Sequence, residues 1–417
     1  MGLIFPGEED FAEEDLRELR KLSESAGAQV VGETTQRRRA PDRAYFLGKG
    51  KAQEVAFEAV QVHASLLIIN NDLSPAQGRN LERLTGLRVV DRSQLIMDIF
   101  ASGARTLQAC KQVELAQLEY FLPRLRRLWT HLSRIRSGIG MRGPGEQQLE
   151  VDRRIARRKI GELKRELKGF ENRKRLEIGS RENFFKVCLV GYTSSGKSTL
   201  LNRLTGADVL EADRLFSTLD TRTRQWKIGG NLSVLLSDTV GFIRRLPHHL
   251  VASFHATLEE AATADLLIHV VDGSHTAALK QIEAVNQVLK ELKSAHIPCL
   301  MVFNKKDLIA DFMDINLLRR RYPRHVLTSA KGGEGLGELA GRVREHLLST
   351  YTEVEVVMPV ASGRVQAFLA GIGDVTVSRQ QNGQYHTTAR IPPFELGRLR
   401  TMASEDGAKL KIHRTQD

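Results

Sequence analysis

Cysteine is scarce in this chain, with three in 417 residues. Cys110, Cys188 and Cys299 are odd in number and widely spaced, and neither a C-x-x-C pair nor a His-rich spacing accompanies them. That pattern argues against a disulfide scaffold or a zinc site and predicts reduced thiols in the core. Long apolar runs are missing too. No uninterrupted stretch reaches the ~20 residues that span a bilayer, so no membrane span is expected. The opening MGLIFPGEEDFAEEDL lacks the basic-then-apolar plan of a signal peptide, and the expectation is a soluble, cytoplasmic protein. Acidic residues fall short of basic ones, 50 against 62, for a formal net charge of +12. An even spread of that excess would mean only solubility, but RLRRLWTHLSRIR and RRIARRK hold much of it. The uneven distribution points to an anionic partner.

The length exceeds the roughly 250 to 300 residues that one hydrophobic core serves, and 41% hydrophobic residues suffice for several. The expected class is α/β and multidomain. Residues 1–110 read as a small α/β domain: DFAEEDLRELRKLSE is helical, AQVVGE extended, KAQEVAFEAVQVHA helical and SLLIINND a buried strand. SPAQGRNLERL opens a helix with Ser74 as N-cap and Pro75 in its first turn. The Gly48-Lys49-Gly50 triplet lacks the Ser or Thr of a phosphate loop and reads as a structural turn.

Residues 111–182 change in texture. Leu115, Leu118, Leu122, Leu125 and Leu132 form a helical stripe, with a kink expected at Pro123, and Ile160, Leu163, Leu167 and Phe170 form another. Between them lies a glycine-rich loop, 137–146, reading SGIGMRGPGE. Gly138, Gly140 and Gly143 have the G-x-G-x-x-G spacing of a dinucleotide-binding turn, but a basic helix precedes them where that turn requires a strand. The pattern is instead an antiparallel helical hairpin whose outgoing arm, at ~1.5 Å per residue, holds the loop roughly 30 Å from its base. Arg124, Arg126, Arg127, Arg134, Arg136, Arg142, Arg153, Arg154, Arg157 and Arg158 crowd its distal half with few acidic partners on the outgoing arm. A solvated charged face is the bland alternative. The bare backbone at the tip favours RNA contact, carried by Arg134, Arg136, Gly138, Gly140, Arg142, Gly143, Arg153 and Arg154.

Residues 183–350 hold four strings that belong together. In FFKVCLVGYTSSGKSTLLNRLTG an apolar strand runs into Gly191-x-x-x-x-Gly196-Lys197-Ser198 and then a helix, the setting a phosphate loop requires. The amides of Gly191, Tyr192, Thr193, Ser194, Ser195 and Gly196 would cup the phosphates together with the helix start at Thr199. Lys197 would reach the β and γ groups, and Ser198 would ligate magnesium. NLSVLLSDTVGF ends a strand in Asp238-Thr239-Val240-Gly241. Asp238 would hold the metal through water, and the Gly241 amide would sense the γ-phosphate. Asn304-Lys305-Lys306-Asp307 follows IPCLMVF, so a buried Asp307 carboxylate would accept from guanine's ring N–H and exocyclic amine, a pattern adenine does not offer. Ser329-Ala330-Lys331 would recognise the guanine carbonyl. GTP is therefore favoured over ATP.

The switch threonine lies in LFSTLDTRTR, at Thr218 or Thr221, with Thr218 assigned as a magnesium ligand and catalytic with Lys197 and Gly241. Phe242 follows Gly241, where many related enzymes carry a glutamine that orients water; hydrolysis is expected to be slow without a partner. His248 and His249 lack a carboxylate or Cys cluster nearby, His269 reads as a core histidine, and Asp272 as a cap.

Residues 351–417 read as a C-terminal βαββαβ unit of the ferredoxin-like type, with a hairpin turning at Asn382-Gly383 and no catalytic cluster.

With these strings in hand, the chain resembles the HflX family of translation-associated GTPases over nearly its whole length. GIGMRGPGEQQLEVDRR ahead of GYTSSGKSTLLNRLTG, TLDTRTR, DTVGFI and NKKD carry the resemblance, joined by PDRAYFLGKGK and NDLSPAQGRNLE. It implies binding to the large ribosomal subunit in the GTP state, the glycine loop directed to rRNA near the peptidyl-transferase region, and separation of stalled ribosomes with release on hydrolysis. Ser194 stands where the family usually has Asn, Thr221-Arg222 where it has Pro-Thr, and Gln147 where it has Thr. The reading is thus a monomeric GTPase using magnesium. A subunit-assembly GTPase and a passive rRNA-binding protein with GTP as a structural ligand are the alternatives.

Overall fold

The computed structural model describes residues 1–6, 12–124, 144–179, 184–206, 222–244, 260–309, 312–360 and 362–413. The chain divides into two compact units. The first comprises Met1–Leu176, Ala212–Asp220 and Val240–Leu258, the second Glu177–Glu211, Thr221–Thr239 and Glu259–Asp417.

In the first unit β1 (Gly2–Ile4) pairs in parallel with β2 (Thr35–Arg37), and β3 (Leu66–Ile69) with β4 (Arg88–Asp91). Helices α1 (Ala12–Ser25), α2 (Lys49–Gln61), α3 (Pro75–Thr85) and α4 (Arg92–Gly103) accompany them. Leu3, Leu47, Val55, Leu67, Ile69 and Leu81 form the core. At the start of α3 the Ser74 hydroxyl accepts from the Gln77 amide and the Gln77 side chain accepts from the Ser74 amide, a reciprocal cap that follows from Ser-Pro-x-Gln. Gly48-Lys49-Gly50 is a helix start, with Gly48 as the N-cap of α2.

The extended reading of AQVVGE does not hold as a strand. The three-residue β1 has room for one short partner, and the register Gly2 to Thr35 gives that place to later residues. Residues 28–34 instead line a cavity of about 550 Å³ with Leu19, Val55 and Ala59.

Arg92 is the buried hub of this unit, its side chain 4% exposed. It pairs with Glu18 and donates to the Asn70 side-chain carbonyl at 2.7 Å. Removing one partner of a desolvated pair strands the other charge, so Arg92→Ala is expected to lower unfolding free energy by about 3 to 5 kcal/mol. A denaturant titration checks this, and a loss below 1 kcal/mol would contradict it.

The hairpin base is formed by α5 (Leu107–Phe121), capped by Thr106, and α6 (Pro144–Gly179). Leu115 packs with Leu163 and Leu167, flanked by Leu118, Ile160 and Phe170. Lys111–Glu166, Lys164–Glu119 (2.7 Å) and Lys159–Glu114 (3.5 Å) bridge the two antiparallel helices. At Pro123, where a kink is expected, the regular part of α5 ends at Phe121, because proline supplies no amide and its ring opposes the preceding helical residue; the chain from 125 to 143 lies outside the described residues.

Arg124 is not part of the distal charge. It donates to the carbonyls of Tyr120 (3.0 Å) and Leu73 (2.9 Å) and to Asp91 Oδ2 (3.0 Å), with its guanidinium 3.3 Å from the centre of the Tyr120 ring. It roots the arm. At the other end, Pro144, Gly145 and Glu146 already belong to α6, with proline in the first turn where its missing amide costs nothing.

The second unit holds a six-stranded sheet in the order β10-β9-β8-β5-β7-β6. The strands are β5 (Lys186–Val190), β6 (Arg222–Gly229), β7 (Leu232–Asp238), β8 (Leu266–Asp272), β9 (Cys299–Asn304) and β10 (His325–Leu327). All pairs are parallel except β6 with β7. The helices are α7 (Lys197–Thr205), α8 (Ala278–Glu291), α9 (Phe312–Arg321) and α10 (Leu336–Ser349). The central strands LLIHVVD and KVCLV are apolar on both faces because helices cover a parallel sheet on both sides. Val187, Leu189, Leu200, Ile268 and Val302 fill one side.

A second, antiparallel sheet follows in the order β12-β13-β11-β14, from β11 (Thr352–Pro359), β12 (Asp374–Gln381), β13 (Gln384–Ile391) and β14 (Lys409–His413). With α11 (Gly363–Ile372) and α12 (Leu396–Glu405) it makes the expected βαββαβ arrangement. Asn382 and Gly383 take φ of 52° and 71° in the β12–β13 turn, as an Asn-Gly hairpin requires. All three cysteines are free, but only Cys188 is buried; Cys110 and Cys299 are exposed, against the expectation of core thiols.

Candidate functional site

The phosphate loop grows out of β5, the strand that lies between β7 and β8 in the parallel sheet. Parallel strands present their carboxyl ends together, and ligands bind in the crevice beyond those ends. Gly191 leaves β5 with its missing side chain facing backbone: a Cβ there would lie 2.2 Å from the Val270 carbonyl oxygen. Gly196 has φ +94° and precedes α7, and a Cβ on it would meet the Asn304 amide nitrogen at 2.3 Å. Both glycines of the motif are therefore dictated by close approach. Ser194 takes a positive φ of 59° and is exposed at the loop's crest, whereas Tyr192, Thr193 and Ser195 are buried. Thr199 lies in the first turn of α7.

Lys197, at the start of α7, is buried and folds back on the loop. Its ammonium donates to the carbonyls of Gly191 (3.0 Å) and Tyr192 (2.9 Å). Burial pushes it down to about 8, and the Asp238 carboxylate offsets part of that shift. A phosphate arriving beside it would raise the value again, so binding takes up a proton wherever the free lysine is neutral. Nucleotide affinity is therefore expected to be full below pH 8 and to fall as pH rises above it, by up to about tenfold per pH unit until the value in the complex is reached. Calorimetry of GDP binding at pH 8.5 in two buffers of different ionisation enthalpy should register proton uptake. Equal heats and a flat affinity from pH 7 to 9 would contradict it.

Ser198 donates to Asp238 Oδ2 at 2.8 Å, and Asp238 is wholly buried at the end of β7. Thr239 is also buried and donates to the Leu189 carbonyl at 2.7 Å, fixing the end of β7 to β5. A hydroxyl and a carboxylate at one spot make a hard-oxygen pair suited to magnesium, which keeps waters and takes phosphate oxygens for the rest of its shell. Among the described residues no group of three or more His, Cys, Asp or Glu could hold a metal alone.

Asn304 ties three segments together. Its amide donates to the Ser195 carbonyl (2.9 Å), and its oxygen accepts from Ala330 N (2.9 Å) and Thr328 Oγ1 (3.2 Å). The guanine strings NKKD and SAK are thus bolted to the phosphate loop before any base arrives. Lys305, with φ 62°, pairs with Asp272 Oδ2 at 2.6 Å. Asp272 also accepts from Ser274 N and Oγ, so its role is to hold a turn, as its reading as a cap implied.

Asp307 departs from expectation: its carboxylate is exposed rather than buried, because it sits on a short 3-10 turn just beyond the end of β9. Ser329, itself buried, donates to Asp307 Oδ1 at 2.5 Å, and this bond holds the carboxyl below its usual range. Lys331, two residues after Ser329, is exposed. His269 is buried in β8 and driven down to about 3 by burial and then by Lys197, a neutral core histidine.

Val240 and Gly241 belong to the first compact unit with the chain that follows them. Phe242 and Ile243 are buried. There Arg244 pairs with Asp15 of α1 at 2.7 Å, and Arg92 donates to the Arg244 carbonyl at 3.0 Å. Asp15, Arg92 and Arg244 were not singled out from sequence, since three scattered charges carry no spacing signal. Thr218 and Thr221 lie outside the described residues, as do His248, His249, Arg134, Arg136, Gly138, Gly140, Arg142 and Gly143. Arg153 and Arg154 lie on α6, Arg154 exposed and Arg153 half-buried.

Three family models match in succession: a GTP-binding GTPase N-terminal region over residues 13–101, a GTP-binding GTPase middle region over 103–181, and a 50S ribosome-binding GTPase over 186–305. A protein of Escherichia coli K12 named GTPase HflX is 42% identical over 390 residues, spanning 93% of this chain and 92% of that protein. Another GTPase HflX, from Alkalihalophilus pseudofirmus, is 48% identical over 306 residues, 73% of this chain and 72% of that protein. Among solved structures, a complex of SsGBP with GDP is 26% identical and covers 82% of this chain and 96% of its own, with a TM-score of 0.47.

Proposed function

Because the chain belongs to the HflX family of GTPases and hydrolyses GTP, we propose that it uses this reaction to control a grip on the large ribosomal subunit. In the GTP state it binds the subunit and separates stalled ribosomes; hydrolysis releases it. The observation that carries this reading is one helix. α6 starts within the glycine-rich string, bears Arg153, Arg154, Arg157 and Arg158, and ends at Gly179 just ahead of β5, whose loop takes the nucleotide. At ~1.5 Å per residue its 36 residues span roughly 54 Å. The arginine forks suit phosphates, and Arg134, Arg136, Gly138, Gly140, Arg142 and Gly143 would form the tip that faces rRNA near the peptidyl-transferase region.

At the nucleotide, the amides from Gly191 to Gly196 and the start of α7 up to Thr199 receive the phosphates. Lys197 exchanges its two carbonyl partners for β and γ oxygens. Ser198, Asp238 and Thr218 would hold magnesium, which when bound neutralises charge on the transferring phosphoryl group. Thr239 keeps Asp238 at the end of its strand, and the amide of Gly241, after Val240, senses the γ-phosphate. Asn304 and Lys305 shape the base pocket, Asp307 accepts from guanine, and Ser329, Ala330 and Lys331 meet its carbonyl.

Phe242 offers no hydrogen bond to an attacking water, so turnover by the protein alone is slow and the subunit completes the site. Steady-state GTP hydrolysis with and without purified large subunits tests this. Stimulation of tenfold or more is expected. No stimulation would leave a passive RNA binder with GTP as a structural ligand, and activity confined to precursor particles would favour an assembly role.

A further inference from the structure

The first unit carries a second basic surface, distant in sequence from the glycine loop. Between Thr35 and Lys51 stand Arg37, Arg38, Arg39, Arg43, Lys49 and Lys51 against one acid, Asp42. That acid is spent on the backbone, accepting from the amides of Ala44 (2.8 Å) and Tyr45 (2.9 Å). Lys51 pairs with Glu54, and Arg38 donates to the Ala40 carbonyl at 3.2 Å. Among the described residues Arg37, Arg39, Arg43 and Lys49 are exposed and make no ion pair.

The scaffold under these cations is rigid. Asp42 and Phe46 exchange backbone hydrogen bonds at 2.8 and 3.0 Å. From α3, Gln77 donates to the Asp42 carbonyl and Asn80 to the Ala44 carbonyl, both at 2.8 Å, and the Gly48 amide donates to Gln36 Oε1 at 2.9 Å. Such a fixed array loses little entropy when it meets a ligand. None of the chain's exposed large apolar side chains falls between residues 35 and 51, which disfavours insertion into a bilayer. The start of α2 has no acid in its first turn and no side-chain cap, adding positive potential on the Lys49 side.

We propose that Arg37, Arg39, Arg43 and Lys49 form a second RNA-contact surface, one that takes the sugar–phosphate backbone of structured RNA independently of the glycine loop. This rests on the reading of the protein as an rRNA binder. The surface holds position on the RNA through charge, with no base edge to read, so it contributes affinity and salt dependence rather than sequence preference.

The test compares the full chain with a variant carrying Arg37→Gln, Arg39→Gln, Arg43→Gln and Lys49→Gln. Binding to purified large subunits is measured across a KCl series with a nonhydrolysable GTP analogue. At ~0.7 to 0.9 per lost phosphate contact, the slope of log affinity against log salt should flatten by roughly 3. Affinity at 0.1 M KCl should drop at least tenfold, while unstimulated GTP turnover and the unfolding midpoint stay unchanged. A variant matching the parent in affinity and slope would overturn this surface while leaving the ribosome reading intact. A parent that does not bind subunits would overturn both. Loss of binding to phosphatidylserine vesicles or polyglutamate, with subunit binding intact, would assign the face to another partner and overturn the proposal.

Discussion

Replacing Asp307 by Asn is expected to lower affinity for guanine nucleotides by about 10² to 10⁴-fold and to favour xanthosine nucleotides. The carboxylate is held by Ser329 through one oxygen and is otherwise exposed. It can therefore accept from both the ring N–H and the exocyclic amine of guanine. Hydrogen bonds to a charged group contribute about 1.5 to 3 kcal/mol each; Asn keeps the bond from the ring N–H only as a neutral one and turns the other into a donor facing a donor, which together give the range above. The amide of Asn presents a donor to guanine's amine, a mismatch, but a good partner for the carbonyl that xanthine carries at the same position. Dissociation constants for GDP and its xanthosine counterpart, measured on both proteins, decide the matter. An unchanged preference for GDP would show that Asp307 does not read the base.

Lys197→Ala is expected to reduce GTP turnover by about 10³-fold or more, since removing a single preorganised donor to a developing charge already costs about 10² to 10³-fold and this donor carries a full charge. The free protein is affected as well. The carbonyls of Gly191 and Tyr192 lose the ammonium that now holds them, and buried Asp238 loses its nearby cation. The variant should bind GDP less tightly and lose the decline in affinity above pH 8. Single-turnover hydrolysis at saturating GTP separates the chemical step from binding. A rate within tenfold of the parent would contradict the role given to Lys197.

The parallel sheet and its loops were legible because their residues are constrained by geometry that also shows as spacing. Gly191 and Gly196 stand where a Cβ would strike Val270 and Asn304. Asn304 follows an apolar strand because it must reach the phosphate loop from the strand's end. The C-terminal βαββαβ order was equally readable, its turn fixed by Asn382-Gly383. Misreadings arose where a tertiary partner decided the outcome. AQVVGE has the composition of a strand, but β1 was already paired. Arg124 lies in a run of arginines, and only Asp91, Leu73 and Tyr120, brought in by other elements, make it an anchor. Asp307 was expected buried because it ends a buried string; the short turn after Asn304 carries it outward. The pairing of Arg244 with Asp15, residues far apart in sequence, had no sequence signature.

The central claim is that the nucleotide sets how tightly the chain holds rRNA. Its most direct measurement is the dissociation constant for purified large ribosomal subunits, obtained by sedimentation with a nonhydrolysable GTP analogue and again with GDP at the same salt. Tighter binding by at least tenfold with the analogue, about 1.4 kcal/mol of coupling, is the predicted result. Equal constants in the two states would contradict it.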